Sequence, residues 1–183
     1  MNIAVITGSP NPNGSSNLLA GQFIKGAREA GNAVCIIDTA HINVRPCMGC
    51  MRCGYNGPCA QKDDMEKVRP QLLGADMLVF VTPLYYYDMT AQMKTLVDRL
   101  CALSGTLQTK HMKSALFSVA ANTDLATFDV LVAHYRAFCR YLNLTDVGMI
   151  LGAGCNSPQI TARSQYVAMA YEFGRRLAPQ AAK

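Results

Sequence analysis

The sequence predicts a doubly wound α/β fold built on a five-stranded parallel sheet of strand order 2-1-3-4-5. Three observations carry this expectation. Short apolar runs, rich in β-branched residues and bounded by turn residues, alternate with helical segments along the chain. The runs are apolar throughout rather than alternating, as strands buried on both faces are. The length, 183 residues, suits one domain with its own core, so residues 1–183 are read as a single unit. In a sheet of this order ligands sit at the carboxyl ends of the strands, at the switch point between the first and third.

Each element follows from local pattern. Asn2 to Thr7 is the first strand and ends at Gly8. Leu18 to Ala30 is a helix: Leu18, Leu19, Phe23, Ile24 and Ala27 share a face, and Gly31 stands at its C-terminal end. Ala33 to Asp38 is the second strand. Residues 40–62 are an irregular insertion rich in Cys, Gly and Pro. Asp63 and Asp64 are placed to cap a helix through Leu73, with a kink or break expected at Pro70. Asp76 to Thr82 is the third strand and Thr90 to Leu103 a helix. Ser114 to Ala120, Ala126 to Leu142, Leu144 to Leu151 and Thr161 to Leu177 complete the pattern as strand, helix, strand and helix.

Composition narrows the function classes. Half the residues are apolar and 16% are charged, as in an ordinary folded domain. The formal charge is +5, but the Lys and Arg residues are scattered, so no nucleic-acid-binding face is expected. A mild positive balance suits a phosphorylated ligand or plain solubility, and argues against a small acidic electron carrier. No apolar run is long enough to span a membrane. Met1 to Thr7 lacks the marks of a signal peptide, so a cytoplasmic protein is expected. Eight cysteines in that setting read as metal-binding, catalytic or buried thiols rather than a disulfide framework.

Two loops fall at the switch point. After the first strand comes Gly8-Ser9-Pro10-Asn11-Pro12-Asn13-Gly14-Ser15-Ser16-Asn17, leading into a helix N-terminus. Free first-turn amides and the helix dipole favour an anion there. Ser9, Asn11, Ser15, Ser16 and Asn17 add polar side chains, and Gly14 permits close approach. The loop matches neither the P-loop nor the dinucleotide glycine pattern. A phosphate monoester held by hydrogen bonds fits it; so does a polar turn with a serine cap. After the third strand comes Thr82-Pro83-Leu84-Tyr85-Tyr86-Tyr87-Asp88-Met89-Thr90. Three adjacent tyrosines offer a stacking surface for a flat ring, or an aromatic subunit contact. Lys94 and Asp98, four apart, are read as a structural pair. Ala121 and Asn122, after the fourth strand, would flank the ring. A phosphate cradle and a ring shelf at one switch point suggest flavin mononucleotide (FMN), with cofactor contacts from Ser9, Asn11, Gly14, Ser15, Ser16, Asn17, Pro83, Leu84, Tyr85, Tyr86, Tyr87, Asp88, Ala121 and Asn122.

The opening G-S-P-N-P-N-G-S-S-N resembles the flavodoxin-like NAD(P)H-dependent FMN reductases, as do T-P-L-Y-Y-Y-D-M-T-A-Q-M-K-T-L-V-D-R and P-C-M-G-C-M-R-C-G-Y-N-G-P-C-A-Q-K-D-D-M. The last resembles the compact cysteine motif of the iron–sulfur flavoprotein branch. The resemblance implies a flavodoxin-like three-layer sandwich, bound FMN, NAD(P)H as co-substrate and a homodimer or homotetramer. It also implies electron transfer to a small acceptor: a quinone, a nitro or azo compound, or free flavin. Asn11 stands where the family often has a basic residue, which weakens charge pairing to phosphate but not the backbone cradle.

Cys47, Cys50, Cys53 and Cys59 have the spacing C-x2-C-x2-C-x5-C. Three readings stay open: a [4Fe–4S] cluster fed by a ferredoxin-like partner, a structural zinc site, or thiols without metal over the flavin. Cys35, Cys101, Cys139 and Cys155 read as buried structural thiols. No Ser/His/Asp set or acid–base pair is evident, so no side chain is assigned a catalytic role. Chemistry is left to the flavin, and His134 is given no part.

Overall fold

The structure, a computed structural model, describes residues 1–177. The single-domain expectation extends to residue 183, and residues 178–183 lie outside the described residues. Five parallel strands form one sheet: β1 (Asn2–Thr7), β2 (Ala33–Asp38), β3 (Met77–Pro83), β4 (Lys113–Val119) and β5 (Thr145–Gly152). Their order is β2-β1-β3-β4-β5. The fold is therefore the flavodoxin-like one that the alternation predicts.

Side-chain alternation in the strands builds two cores. Ala4 and Ile6 of β1, with Leu78 and Phe80 of β3, face one side of the sheet. There they meet α2 (Met65–Gly74), α3 (Ala91–Arg99) and α5 (Asp129–Tyr141) through Leu72, Met93, Leu96 and Leu131. Ile3 and Val5, with Val79 and Val81, face the other side and meet Leu19 and Phe23 of α1 (Ser15–Glu29) and Ala170 of α7 (Gln165–Arg175). Period-two alternation with apolar residues on both faces is what a central parallel strand requires.

Helices α1 and α7 lie backbone to backbone, and two glycines permit it. A β-carbon on Gly26 would stand 2.1 Å from the Tyr171 carbonyl oxygen, and one on Gly174 2.3 Å from that of Phe23. Backbone cannot yield as a side chain can, so Gly174→Ala must push the helices apart. We expect a loss of about 1–3 kcal/mol, read as a melting temperature lower by about 2–4 °C per kcal/mol. An unchanged melting temperature would contradict this close packing.

Three expectations are corrected, and of the kink or break expected at Pro70 the break does not occur. Helix α2 runs through Pro70 without a break, although the ring removes the amide that would donate to the Glu66 carbonyl. The helix expected over 90–103 is α-helical only to Arg99. It tightens into a 3-10 turn over Leu100–Leu103 and is followed by an unforeseen α4 (Ser104–Lys110). Its poor helix formers, Ser104, Gly105 and Thr106, hide that element from propensity. The helix expected over 126–142 likewise begins as a 3-10 turn, Leu125–Phe128. The last helix divides into α6 (Pro158–Ala162) and α7. Pro158 opens α6, and the Ser157 hydroxyl accepts from the Ile160 amide at 3.3 Å.

Candidate active site

The loops after β1 and β3 are fastened to each other. The Gly8 amide donates to the Val81 carbonyl at 2.9 Å, and the Thr90 hydroxyl donates to the Gly8 carbonyl at 2.7 Å. The Thr90 amide donates to the Thr82 hydroxyl at 3.1 Å. These buried bonds fix the two carboxyl-end loops as one platform beside the sheet's switch point.

A cleft of about 260 Å³ opens on that platform. Of the residues proposed from sequence, Ser9, Asn11, Gly14, Ser15, Ser16, Pro83, Leu84, Tyr85 and Ala121 line it. Asn17, Tyr86, Tyr87, Asp88 and Asn122 do not. The Asn17 side-chain amide instead donates to the Asn11 carbonyl at 2.9 Å and holds the loop's shape. The Asn122 side chain accepts from the Asp124 amide at 3.0 Å. Cys155, Asn156 and Pro158, after β5, also line the cleft and were not foreseen. The rule that ligands gather at the strands' carboxyl ends covers them, but no residue motif marks the segment.

The cleft's chemistry lies at the N-terminus of α1. Gly14 is the N-cap residue and supplies no side-chain cap. The amides of Ser15, Ser16 and Asn17 are first-turn donors that a helix leaves without intrahelical acceptors. The Ser16 hydroxyl is buried, with no hydrogen-bond partner among the described residues. Buried polar atoms are rarely left so, and at this position an acceptor from a ligand would complete it. Gly14 is held tightly: a β-carbon there would lie 3.0 Å from both the Asn11 carbonyl oxygen and the Ser9 hydroxyl. The donor set fits the phosphate of FMN.

The tyrosine loop is a two-residue hairpin. Tyr85 and Asp88 exchange backbone bonds at 2.9 and 3.2 Å. Tyr86 and Tyr87, at its tip, have φ of 48° and 68°. This is the left-handed region that such turns require and that Asn and Gly normally fill. Tyr86 is fully exposed. His134, on α5, braces the loop from behind: its Nδ1 lies 2.8 and 3.0 Å from the two Asp88 carboxylate oxygens. Sequence offered no signal for that pair, because 46 residues separate its members. Lys94 and Asp98 pair at 2.5 Å, on an exposed face of α3.

The cysteine segment forms a second, separate site, with no lining residue in common with the cleft. Cys47, Cys50, Cys53 and Cys59 all line one small cavity of about 30 Å³, and Cys101 joins them from the turn after α3. Cys101 thus stands among the motif thiols. Burial pushes its own thiol pKa up, and Cys53 and Cys47 add to the effect. Positive φ at Gly49 (63°) and Gly54 (54°) lets the segment curl around the cavity. Among the described residues no three His, Cys, Asp or Glu side chains are gathered tightly enough to hold a single metal ion. Thiolates on a cubane each bind a different iron, so cysteines that line one cavity without forming a tight single-ion group suit a cluster better than zinc.

A clasp closes the base of this segment. The Asp63 carboxylate accepts from both Arg99 Nη atoms, at 2.6 and 3.1 Å, and from the Arg45 and Met65 amides at 3.0 and 3.1 Å. Asn43 and Asp64 add two bonds, and the Gln61 side chain donates to the Pro46 carbonyl at 2.9 Å. Asp64 takes the cap position of α2 but makes no side-chain cap bond. The acidic pair therefore serves mainly to close the loop.

The profile of the family described as NADPH-dependent FMN reductase matches residues 1–153. An iron–sulfur flavoprotein of Methanocaldococcus jannaschii is 30% identical over 122 residues, 67% of this chain and 63% of that protein. The chain spans about half the length of other iron–sulfur flavoproteins that it matches. Among solved structures, an NAD(P)H:quinone oxidoreductase from Methanothermobacter marburgensis superposes with a TM-score of 0.76 at 18% identity, over 100% of this chain and 98% of its own. An FMN-dependent NADH-azoreductase from Bacillus anthracis, in complex with FMN, gives 0.71 at 15% identity, over 98% and 100%. These likenesses show the fold, and no helix among the described residues is long and apolar enough to cross a membrane. With the profile covering both switch-point loops and the cysteine segment, the chain belongs to the NADPH-dependent FMN reductase family.

Proposed function

We propose that the chain is an FMN-dependent oxidoreductase that takes electrons from NAD(P)H and passes them to a flat small-molecule acceptor. The observation that carries this reading is the unpartnered Ser16 hydroxyl at the uncapped N-terminus of α1, in a cleft that Tyr85 also lines. Bound flavin supplies hydride acceptance and onward electron transfer. The chain's part is to hold it. The Ser15, Ser16 and Asn17 amides and the Ser16 hydroxyl would bind the phosphate. Pro83, Leu84, Tyr85 and Ala121 would border the ring, with Tyr86, Tyr87, Asp88 and Asn122 in the adjoining turns. A quinone, a nitro or azo compound and free flavin are the acceptor class, and a homodimer or homotetramer the assembly. Steady-state NAD(P)H oxidation with a quinone tests the proposal: turnover that depends on FMN is expected. A chain that retains FMN yet oxidises no pyridine nucleotide would overturn it.

A second reading is favoured by the convergence of five thiols on one cavity. There Cys47, Cys50, Cys53 and Cys59 would hold a [4Fe–4S] cluster, and a ferredoxin-like partner would exchange single electrons with it. Anaerobic purification followed by iron and sulfide analysis is expected to find four of each per chain, as the cluster formula requires. Protein with neither would leave the cysteines as plain thiols.

A further inference from the structure

Arg99 closes α3 with its side chain 1% exposed. A guanidinium has five N–H donors in a rigid fork. Nη1 donates to the Arg45 carbonyl at 2.7 Å and to Asp63 at 2.6 Å, and Nη2 donates to Asp63 at 3.1 Å. Nε is buried and has no partner among the described residues. The same residue lines the cysteine cavity, beside Cys59 and Cys101. Leaving a buried donor of a charged group unmet is costly, and native proteins rarely do so without a reason. Asp63 and the Arg45 carbonyl hold the guanidinium rigidly with three of its five donors and leave the buried Nε–H unmet, in a cavity where five of the ten other lining residues are cysteines. Sulfur is the acceptor that such a cavity can offer, and thiolate or sulfide is a better one than thiol.

We propose that Arg99 is the built-in hydrogen-bond donor of the cysteine cavity, its Nε–H bonding to a sulfur of the iron–sulfur group held there and making that group easier to reduce. The proposal rests on the cluster reading above. Reduction adds negative charge to an already anionic thiolate cluster, and hydrogen bonds to its sulfurs are a recognised control of its potential. Arg99 would then set the potential at which electrons enter, while the four cysteines hold the iron.

Two variants test this. Arg99→Lys keeps the positive charge opposite Asp63 but removes the Nε–H. The double variant Arg99→Met/Asp63→Asn removes both charges at once, so the net charge near the cavity is unchanged and no lone ion is buried. Each is purified anaerobically and reconstituted with ferrous iron and sulfide. Iron and sulfide are counted, flavin retention is checked as a sign of folding, and the cluster midpoint is titrated by electron paramagnetic resonance. We expect the wild-type iron and flavin content in both variants, with reduction disfavoured about tenfold, equivalent to about 59 mV for one electron. Midpoints equal to wild type in iron-replete variants would overturn the role of Arg99 and leave the cluster reading standing. Wild-type protein that takes up neither iron nor sulfide would instead remove the cluster reading, and this proposal with it.

Discussion

Protein carrying Ser16→Glu is expected to leave purification colourless. The first turn of α1 offers uncapped amides and a buried hydroxyl without a partner, in a cleft lined by Ser9, Gly14 and Ser15. A carboxylate placed there supplies the negative charge that the helix N-terminus favours. It therefore caps the helix from within and repels the phosphate from the same donors. Volume acts in the same direction, since the replaced side chain is buried. Ser16→Ala separates the two effects. It removes only a hydrogen bond to a charged group, a loss of about 1.5–3 kcal/mol, or roughly ten- to hundredfold in Kd. Flavin content after desalting, and fluorescence titration with FMN, read both changes. A yellow Ser16→Glu protein would place the phosphate elsewhere.

The sheet was legible because its signal is local. β1 and β3 each pack into a few apolar residues what period-two alternation then divides between two cores. That the loop after β1 would line a cleft was legible for a related reason: a strand, a Ser/Gly-rich turn and a helix start follow one another without interruption. What escaped was long-range. Asp88 and His134 lie on different elements, and neither residue type announces the other. Cys101 read as an ordinary buried thiol because its companions lie some forty to fifty residues earlier in the chain. Asn156 and Pro158 reach the cleft only because β5 ends beside β4. The Asp63–Asp64 pair misled in an instructive way. Two acids before an amphipathic run are the usual mark of a helix cap, but a buried arginine 36 residues away claims the first of them.

That arginine makes Asp63 the side chain whose loss should cost the fold most. Asp63 and Arg99 are each only 1% exposed. Desolvation alone would raise the Asp63 pKa. The Arg99 hydrogen bonds, the Arg45 and Met65 amides and the Arg99 charge together outweigh it and hold the carboxyl below the ordinary range. Asp63→Ala strands a buried guanidinium and releases both amides, and breaking a buried pair from one side costs about 3–5 kcal/mol. For a chain of this size that is a fall of roughly 6–20 °C in melting temperature. The sign of the pH effect follows from the depressed pKa. The contribution of Asp63 is complete above its unfolded value, near pH 4, and is lost as pH falls through the lower folded value. Wild-type protein should therefore lose this part of its stability only below about pH 4, while Asp63→Ala lacks it at every pH. Denaturant midpoints measured from pH 3 to pH 7 are expected to stand furthest apart at neutrality and to draw closer for the two proteins as pH falls below about 4. A constant gap across that range would mean that packing, rather than the carboxylate's charge, is what Asp63 contributes. The clasp also ties Arg45 to the start of α2, across the whole cysteine segment. In Asp63→Ala, where the guanidinium is left unpaired and the Arg45 amide loses its acceptor, that segment should open first, so faster proteolysis between residues 46 and 62 is expected before the sheet itself unfolds.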